Sequence, residues 1–431
     1  MIQLHDRHGH FIRIAHNELS VSHPDAVKKI LLSPLRKADW YTIIAFPDGR
    51  YQNPMSTTDP KKKIERSKNL APGYNISNLL QSEAAIDDNI HFFRSWLDKF
   101  SANGQPINLD QYFAYLTNDN VGEVVFSKSF GFLREGKDIG NTIKNSLGHN
   151  AYVAIMGFYG WLHTLLVGNS FVTWLGVMPY GHIIETAMNS VKDSQRNVDA
   201  RFDLMSHWLR ALDEHPDRMS VRDVHAAVFN NIAAGADTVA CGLQSFVYHM
   251  IRHPTAWQRV RDEIIGAGLL DENTIVSFTD AQKLPYLQAC ITEALRVFGP
   301  VPMGLPRVVG PEGLYIGGKT LPGGTIVSVN PHVIHQSKEI WGPDAREFNP
   351  ERWLSEGSAK MQKYWIPFGA GYASCPGQNI ARIELSKITA TIVRDYDIHL
   401  VDKAQEWKYK AYFTVVPHSW PVYVNRAKSG Q

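Results

Sequence analysis

One of the three cysteines in this 431-residue sequence stands where a sulfur atom could do chemistry. Cys241 and Cys290 lie in helix-forming stretches, where we interpret them as small buried hydrophobic residues. Cys375 instead follows a glycine-rich loop and directly precedes a helix-forming run, in WIPFGAGYASCPGQNIARIELSKI. Because the free N–H groups and the dipole at a helix start stabilise an anion, we expect a lowered pKa for the Cys375 thiol.

The residues around Cys375 favour a metal ligand over a nucleophile. Gly369, Gly371 and Gly377 would let the backbone turn tightly and approach a large ligand. Phe368 makes the neighbourhood apolar, and no His–Asp arrangement that could activate a nucleophile lies close by in the sequence. We therefore expect Cys375 to bind the metal of a flat, apolar cofactor.

The spacing Phe368-x-x-Gly371-x-x-x-Cys375-x-Gly377 resembles the haem-binding loop of the cytochrome P450 family. Three further segments resemble other motifs of that family and occur in the family's order. They are Ala234-Gly-Ala-Asp-Thr238, Glu293-Ala-Leu-Arg296 and Phe348-Asn-Pro-Glu-Arg352-Trp. The resemblance covers nearly the whole chain, and phrases such as WGPDAREFNPERWL are similar to filamentous-fungal members, including the pisatin demethylase-like group.

The resemblance implies that the Cys375 thiolate is the proximal ligand of the iron of haem b (iron protoporphyrin IX), where its electron donation favours O–O cleavage. Glu293 and Arg296 are three residues apart on one helix face and can form an ion pair. By the same resemblance, Arg352 would complete a buried Glu–Arg–Arg cluster. We interpret these three residues as structural support of the cysteine loop and not as reacting groups.

Asp237 and Thr238 interrupt an apolar helix, and the resemblance places them at the oxygen-binding site. An acid next to an alcohol can relay protons to O2, and the small Ala234 and Gly235 would leave room for it. We therefore predict Asp237 and Thr238 as the catalytic residues. The alternative interpretation is an internal hydrogen bond that satisfies a kinked helix.

Two positions depart from the family pattern where the haem propionates would be held. The family usually has Arg or His two residues before the cysteine, where this chain has Ala373. Its upstream helix has Lys63 where the family often has Trp or His. Arg307 fits the propionate-binding Arg after the E-x-x-R helix, and Arg66 is the second choice, with a plain surface charge as its other interpretation. The predicted haem-binding residues are thus Cys375, Phe368, Gly369, Gly371, Gly377, Arg307 and Arg66.

By resemblance, the substrate pocket is lined by five segments: Phe46–Asn53, the apolar 151–168 region, the 230–238 face of the long helix, Val301–Leu305 and Phe413–Val415. These segments are mostly aromatic and aliphatic, which suits a lipophilic small-molecule substrate. We assign to the pocket Phe46, Ala234, Val301, Met303, Phe413 and Thr414.

The predicted secondary structure indicates a mainly α protein with small β-sheets near both ends, as in the cytochrome P450 fold. We expect one domain over residues 1–431. About thirty residues before Pro254 contain no proline, which predicts a long helix across the molecule. RIAHNELSVS predicts a strand and HPDAVKKILLSP a helix. GLYIGGKTLPGGTIVSVN predicts a hairpin, and YFTVVPHSWPVYV predicts a strand pair.

Composition and charge exclude several classes of function. Hydrophobic residues are 44 % and charged residues 20 %, as in packed soluble proteins. Lys and Arg number 44 against 42 Asp and Glu, so no global basic field for nucleic-acid binding exists. Three cysteines exclude a disulfide framework, and the lack of C-x-x-C argues against structural zinc.

No G-x-G-x-x-G follows a strand, so the electrons must come from a separate protein. The resemblance implies an NADPH–cytochrome reductase that docks on the cysteine side, with cytochrome b5 as an optional second donor. Basic side chains of this chain would attract the acidic surface of the reductase. The alternative interpretation is that these side chains are ordinary solvated surface charges. The candidates are Lys62, Lys63, Lys68 and Arg382.

The first residues contain no apolar signal region and no run of about 20 apolar residues. We expect the protein at the endoplasmic reticulum membrane surface if an N-terminal anchor has been removed, and in the cytoplasm otherwise. The apolar stretch Trp161–Leu166 is a candidate for membrane-surface contact, with ordinary burial as the alternative.

Together these features predict a haem-thiolate monooxygenase that hydroxylates or oxidises a lipophilic small molecule with O2, in fungal secondary metabolism. One alternative is a haem-thiolate enzyme that catalyses desaturation, ring formation or coupling without net oxygen insertion. The other is a non-catalytic haem-binding protein, which the weakened set of propionate partners would favour.

Overall fold

The computed structural model describes residues 1–175, Asn189 and 202–427, and helices dominate this part of the chain. The α-helices span Ile2–His8, Pro60–Leu70, Ile76–Leu79, Glu83–Asn103, Leu109–Phe126, Phe132–Glu135, Thr142–Met156, Gly160–Leu166, Ser170–Trp174, Leu204–Glu214, Val221–Arg252, Pro254–Gly266, Phe278–Ala281, Pro285–Val297, Pro331–His335, Lys338–Trp341, Ser358–Gln362 and Gln378–Asp395. Short 3-10 or π turns span Val27–Leu31, Asp39–Ile44, Ala71–Tyr74, Leu80–Ser82, Ile139–Asn141, Gly157–Tyr159, Pro350–Trp353 and Gly371–Ala373.

Small β-sheets lie near both ends of the chain, as the sequence predicts. The strands are β1 Phe11–Ala15, β2 Glu18–Val21, β3 Leu305–Val308, β4 Leu314–Ile316, β5 Lys319–Leu321, β6 Ile326–Val329, β7 Tyr396–Leu400, β8 Lys408–Ala411, β9 Val415–His418 and β10 Val422–Arg426. One four-stranded sheet has the order β1-β2-β6-β3, in which only β2 and β6 are parallel. Antiparallel pairs β4-β5, β8-β9 and β10-β7 form the other sheets. The predicted mainly α fold is confirmed.

Two local predictions need correction. RIAHNELSVS forms the hairpin β1-β2 and not a single strand, whereas the helix predicted in HPDAVKKILLSP is present as the short π-helix Val27–Leu31. YFTVVPHSWPVYV contains β9 and β10, but these strands pair with β8 and β7 and not with each other. The reason lies between them, where the fully buried Trp420 donates its indole N–H to Gln244 Oε1 at 3.0 Å and fixes the connection in the core.

The longest helix, Val221–Arg252, is called the central helix here. Its 32 residues extend for about 48 Å, which confirms the prediction of a long helix. Ser220 and Asp223 form a capping box that satisfies free N–H groups at its first turn. Its side chains are mostly buried over 224–229 and again over 239–250, and Asp237 and Thr238 lie in the half-buried stretch between them.

The cysteine loop lies where two hydrophobic clusters meet. The larger cluster, which includes Phe113 and Phe246, packs against the half-buried Trp365 and Phe368. A smaller cluster beneath the four-stranded sheet contains the buried Ile366. Because alternate residues of the segment before the cysteine are held by different clusters, the start of the loop is fixed on both sides.

Candidate functional site

The backbone of the cysteine loop turns through the left-handed region at two glycines. Gly369 has φ of 68° and Gly371 has φ of 66°, a conformation that other residues rarely adopt. A Cβ at Gly371 would also clash with the carbonyl oxygen of Leu31. The Cys375 N–H donates to the carbonyl oxygen of Phe368 at 2.8 Å and closes the loop. These contacts agree with the tight turns predicted at Gly369 and Gly371.

Gly377 has a different role from the predicted tight turn. Its φ of −78° is open to any residue, and a Cβ there would lie 3.8 Å from Cys375 Sγ, an ordinary contact. Its backbone N–H instead donates a hydrogen bond to the Cys375 sulfur, just before the helix Gln378–Asp395 begins. Gly377 therefore contributes a donor to the sulfur.

The pKa of Cys375 corrects the expectation drawn from the helix start. Cys375 is accessible to solvent, although protein atoms surround its thiol closely. Burial raises the pKa of this thiol, and the Gly377 N–H and the Lys63 charge only partly oppose that effect. Desolvation thus outweighs the helix start in the protein alone. A bound metal would favour the thiolate, since a metal displaces the proton of a coordinating thiol.

A buried positive charge beside the cysteine loop fits the edge of the implied cofactor. Arg307, on β3, is only 2 % exposed and forms no ion pair with a carboxylate among the described residues. One Nη donates to the Pro306 carbonyl at 3.0 Å and reaches the Tyr41 hydroxyl at 3.5 Å, while Nε has no hydrogen-bond partner. A haem would place carboxylates at its edge and a cation at its centre. Arg307 and Cys375 therefore fit this group.

Arg66 has other partners in the structure. Its Nε lies 3.6 Å from Asp223 Oδ1, and one Nη donates to Thr57 Oγ1 at 3.0 Å. Arg66 thus ties its helix to the start of the central helix, and its role as a propionate partner stays a prediction. Lys63 on the same helix is half-buried and lies close enough to Cys375 for the two groups to influence each other's pKa.

Glu293 is the centre of a buried hydrogen-bonded cluster. Its Oε1 accepts from Arg296 at 2.8 Å, Arg352 at 2.9 Å and the Asn349 N–H at 2.9 Å. Its Oε2 accepts from Arg296 at 2.8 Å and from the Trp353 indole at 2.9 Å. The structure thus brings the three predicted support residues together, and every oxygen of the buried carboxylate has charged or polar donors.

The Glu293 cluster is connected to the cysteine loop by two hydrogen bonds. The indole N–H of Trp365 donates to the carbonyl of Thr292 at 3.0 Å, next to Glu293 in the chain. The Ile366 N–H donates to His335 Nε2 at 2.9 Å, and the carbonyl of His335 accepts from Arg296 at 2.5 Å. Burial holds the pKa of His335 well below its ordinary value, so the neutral ring remains an acceptor.

Asp237 and Thr238 are adjacent but have separate partners. Asp237 Oδ2 accepts from Ser146 Oγ at 2.8 Å and from Asn150 Nδ2 at 3.0 Å, both on the helix Thr142–Met156. Burial raises the pKa of Asp237, and these two hydrogen bonds partly oppose it. Thr238 donates to the carbonyl of Ala234 at 2.8 Å, one turn earlier. The internal hydrogen bond named as the alternative interpretation is therefore present for Thr238.

The small residues before this pair serve different purposes. A Cβ at Gly235 would lie 2.7 Å from Val121 Cγ2, so Gly235 allows the central helix to approach the helix Leu109–Phe126. The expectation that Ala234 and Gly235 leave room for O2 stays a prediction.

A cavity of about 70 Å³ borders Asp237, between the central helix, the helix Thr142–Met156 and the segment from Ile44 to Asn53. Phe46 and Phe229 meet edge to face in its wall, with ring centroids 5.5 Å apart. Its lining residues are Ile44, Phe46, Asn53, Asn118, Thr142, Ser146, His149, Phe229, Asn230, Ile232, Ala233, Ala236 and Asp237. Seven of these thirteen residues are polar. The predicted segments Phe46–Asn53 and 230–238 contribute to the wall, whereas Asn118 and the residues from the helix Thr142–Met156 were not predicted, because they come from separate elements.

The other predicted pocket residues lie beside this cavity and not in its lining. Met303 and Phe413 pack in a cluster with Trp40, whose ring stacks on Phe413 at 5.6 Å. Val301 is half-buried, and Thr414 is buried with its hydroxyl unpartnered. The hydrogen bond from the Val415 N–H to the Pro300 carbonyl at 2.9 Å joins these two segments. Ala234, also half-buried, contributes its carbonyl to Thr238.

We predict that Glu293→Ala destabilises the fold by about 3–5 kcal/mol, because it leaves two buried guanidinium groups without their carboxylate. Urea unfolding and the yield of soluble, haem-loaded protein measure the effect. Glu351→Ala is the matched control, since Glu351 lies on the neighbouring turn with a half-exposed side chain paired to Arg259. A Glu293→Ala variant as stable and as loaded as the control would contradict the structural role.

Comparisons with known proteins agree with this geometry. A family model described as cytochrome P450 matches residues 1–423. Cytochrome P450 monooxygenase hepC of Aspergillus oryzae is 31 % identical over 97 % of this chain and 86 % of its own. Cytochrome P450 monooxygenase gsfF of Penicillium aethiopicum is 30 % identical over 95 % of this chain and 84 % of its own. A cytochrome P450 monooxygenase of Aspergillus flavus is 29 % identical over 93 % of this chain and 82 % of its own.

Proposed function

Because the chain belongs to the cytochrome P450 family, we propose that it inserts oxygen from O2 into a lipophilic small molecule of fungal secondary metabolism. The chain is a haem-thiolate monooxygenase by its family and its relatives. The observation that carries the proposal is the exposed Cys375 on a closed loop, whose Tyr372 ring lies 5.9 Å from the buried guanidinium of Arg307.

Cys375 would hold the haem iron, and Arg307 would hold a carboxylate at the cofactor's edge. When bound, the haem supplies the activation of O2 by one-electron steps. The protein contributes a fixed sulfur with one donor, from Gly377, because Pro376 has no backbone N–H. The Glu293 cluster keeps the loop in place through Trp365.

The central helix supplies the groups that can move protons. Burial raises the pKa of Asp237. Because Oδ2 accepts from Ser146 and Asn150, Oδ1 is the oxygen that can carry a proton to a group in the cavity that Asp237 borders. Ser146 and Asn150 orient this carboxyl from the opposite helix. The Thr238 hydroxyl can exchange its bond to the Ala234 carbonyl for a bond to a ligand in the site.

The cavity and the relatives support the substrate class. Phe46, Phe229 and Ile232 provide apolar contact area for a lipophilic molecule. The similar monooxygenases come from Aspergillus and Penicillium species, at about 30 % identity, which supports a fungal small-molecule substrate.

Electrons are proposed to come from NADPH through a separate cytochrome reductase, with cytochrome b5 as an optional donor. Lys62, Lys68 and Arg382 are exposed and form no ion pair within the described ranges, which leaves them free for an acidic partner. Lys63, predicted with them, is half-buried toward Cys375 and is less available to a partner.

The purified enzyme, reconstituted with a fungal NADPH–cytochrome reductase and a panel of lipophilic aromatic compounds under ¹⁸O2, tests the proposed reaction. We expect substrate-dependent NADPH consumption and one ¹⁸O atom in the product. A product without ¹⁸O would identify desaturation, ring formation or coupling instead. No substrate-dependent NADPH consumption with any compound would favour a non-catalytic haem-binding protein.

We predict that Thr238→Ala lowers the yield of product per NADPH and raises the release of hydrogen peroxide, because the proton supply loses its hydroxyl. Thr238→Ser keeps a hydroxyl and should retain most of the coupling. Asp237→Asn should slow turnover by about 10²-fold, the low end for a positioned proton donor. Equal coupling in the Ala and Ser variants would contradict the role of Thr238.

An exposed apolar surface supports contact with the endoplasmic reticulum membrane. No helix within residues 1–175 and 202–427 has the length and hydropathy needed to cross a bilayer. Trp161 and Leu165 are 71 % and 67 % exposed, and Leu166 and Trp174 are also exposed nearby. We propose that Trp161–Leu166 inserts shallowly into the membrane surface.

We predict that Leu165→Asp weakens co-sedimentation with phosphatidylcholine–phosphatidylserine vesicles, because a carboxylate cannot enter the acyl boundary. Leu270→Asp is the matched control, since Leu270 is a similarly exposed leucine, at 60 %, on another segment. The contact at Leu165 would be refuted if both variants bound the vesicles as strongly as the unmodified protein.

A further inference from the structure

We propose that Asn118 accepts a hydrogen bond from a hydroxyl group of the substrate, so that the pocket selects hydroxylated aromatic compounds over their deoxy counterparts. The inference rests on the oxygen insertion proposed above and narrows its substrate class. Asn118 lies on the helix Leu109–Phe126, outside every segment that the sequence assigned to the pocket. Its place in the cavity wall, an amide oxygen without a donor and the aromatic rings nearby support the proposal.

Asn118 is buried in the wall of the cavity that Asp237 borders. Its side chain is only 6 % exposed, and the residue lines this cavity together with one face of the central helix. Val121, one turn after Asn118, is the residue that Gly235 allows the central helix to approach. This close packing of the two helices brings Asn118 to the cavity from the side opposite the helix Thr142–Met156.

The hydrogen bonds of Asn118 determine which end of its amide is available in the cavity. Nδ2 donates to the carbonyl oxygen of Ala114 at 2.8 Å, one turn earlier on the helix. A carbonyl oxygen only accepts, so the end of the amide at Ala114 must be the NH2 group. The other end, Oδ1, accepts no hydrogen bond from any residue that the structure describes. A nearly buried acceptor without a donor favours a ligand that supplies one.

Other polar side chains of this wall are engaged with the protein itself. Thr142 donates to the carbonyl of Ile139 at 2.8 Å, and Ser146 donates to Asp237 at 2.8 Å. Both ends of the Asn53 amide bond to backbone groups of its own segment. These three side chains hold the wall in place and have less capacity left for a ligand.

A second amide in the wall suits the same ligand group. Asn230 on the central helix forms no side-chain hydrogen bond with the described residues, whereas its neighbour Asn231 bonds to the Tyr74 hydroxyl and the Ala227 carbonyl. A hydroxyl group both donates and accepts, so it suits the Oδ1 of Asn118 and the NH2 group of Asn230. An ether or a methyl group would satisfy Asn118 in neither way.

The apolar side of the cavity suits an aromatic ring. Phe46 and Phe229 meet edge to face with ring centroids 5.5 Å apart, and Ile232 lies beside them in the wall. A flat ring that packs on these side chains gains the same contact area with or without a hydroxyl group. Only the hydroxylated ring also gives Asn118 its missing donor, and a site with such a polar group rejects ligands that lack the partner.

The test compares 2-naphthol with naphthalene, which share one ring system and differ in a single hydroxyl group. Equilibrium dialysis of the holoenzyme measures the Kd of each compound without requiring turnover. We expect the unmodified protein to prefer 2-naphthol, and Asn118→Leu, a variant of similar size, to weaken 2-naphthol binding about tenfold. Naphthalene should bind the variant as tightly as it binds the unmodified protein, which shows that the variant is folded.

Two further variants complete the comparison. Asn118→Thr keeps an oxygen acceptor, because its hydroxyl can donate to the Ala114 carbonyl one turn earlier, and should retain most of the preference. Gln111→Leu removes an exposed amide from the same helix and should change neither Kd. Equal affinity of the unmodified protein for both compounds, no binding of either, or an equal loss of both in Asn118→Leu would overturn the role of Asn118. Equal affinity is also the result expected if a water molecule alone occupies the Oδ1 of Asn118.

Product formation under ¹⁸O2 separates this inference from the proposed function. A protein that prefers 2-naphthol through Asn118 but forms no ¹⁸O-labelled product retains the binding role and loses the proposed oxygen insertion. A protein that binds both compounds equally and labels its products loses the binding role alone.

Discussion

The buried carboxylate of Glu293 is the interaction on which the site depends. Two guanidinium groups, an indole and a backbone N–H all donate to it. Arg296 donates from the helix of Glu293 itself, and the other three donors come from residues 349–353. The segment that precedes Cys375 is hydrogen-bonded to residues beside this cluster, from Trp365 to the Thr292 carbonyl and from the Ile366 N–H to His335. Because these partners are buried and charged, small displacements cost free energy, and the cysteine loop is held in one position.

Without a cofactor, two groups near this loop are electrostatically unfavourable in their charged forms, one as an anion and one as a cation. Burial raises the pKa of the Cys375 thiol, so the anion that binds iron is disfavoured without a cation. Arg307 is a buried cation without a carboxylate in the described residues. One cofactor with a cation at its centre and carboxylates at its edge relieves both costs. Haem binding and the stability of this region are therefore linked.

Local sequence predicted the parts of the site that lie within one motif. The glycine residues 369 and 371 predicted tight turns, and both adopt a left-handed backbone. The spacing of Glu293 and Arg296 on one helix predicted their ion pair. Contacts between distant segments were not predictable in this way. Ser146 and Asn150 reach Asp237 from another helix, and the thiol pKa depends on burial that no spacing shows. The strand partners of β9 and β10 likewise depend on a tryptophan in the core.

The reduced protein's absorption spectrum with carbon monoxide tests the central claim, thiolate ligation by Cys375, most directly. We predict a Soret band at the strongly red-shifted position characteristic of a thiolate-ligated haem. Cys375→Ser should abolish that band, while Cys241→Ser, at a buried cysteine in the central helix, should keep it. A band at the position of a haem with a neutral ligand in the unmodified protein, or the red-shifted band in Cys375→Ser, would contradict the account.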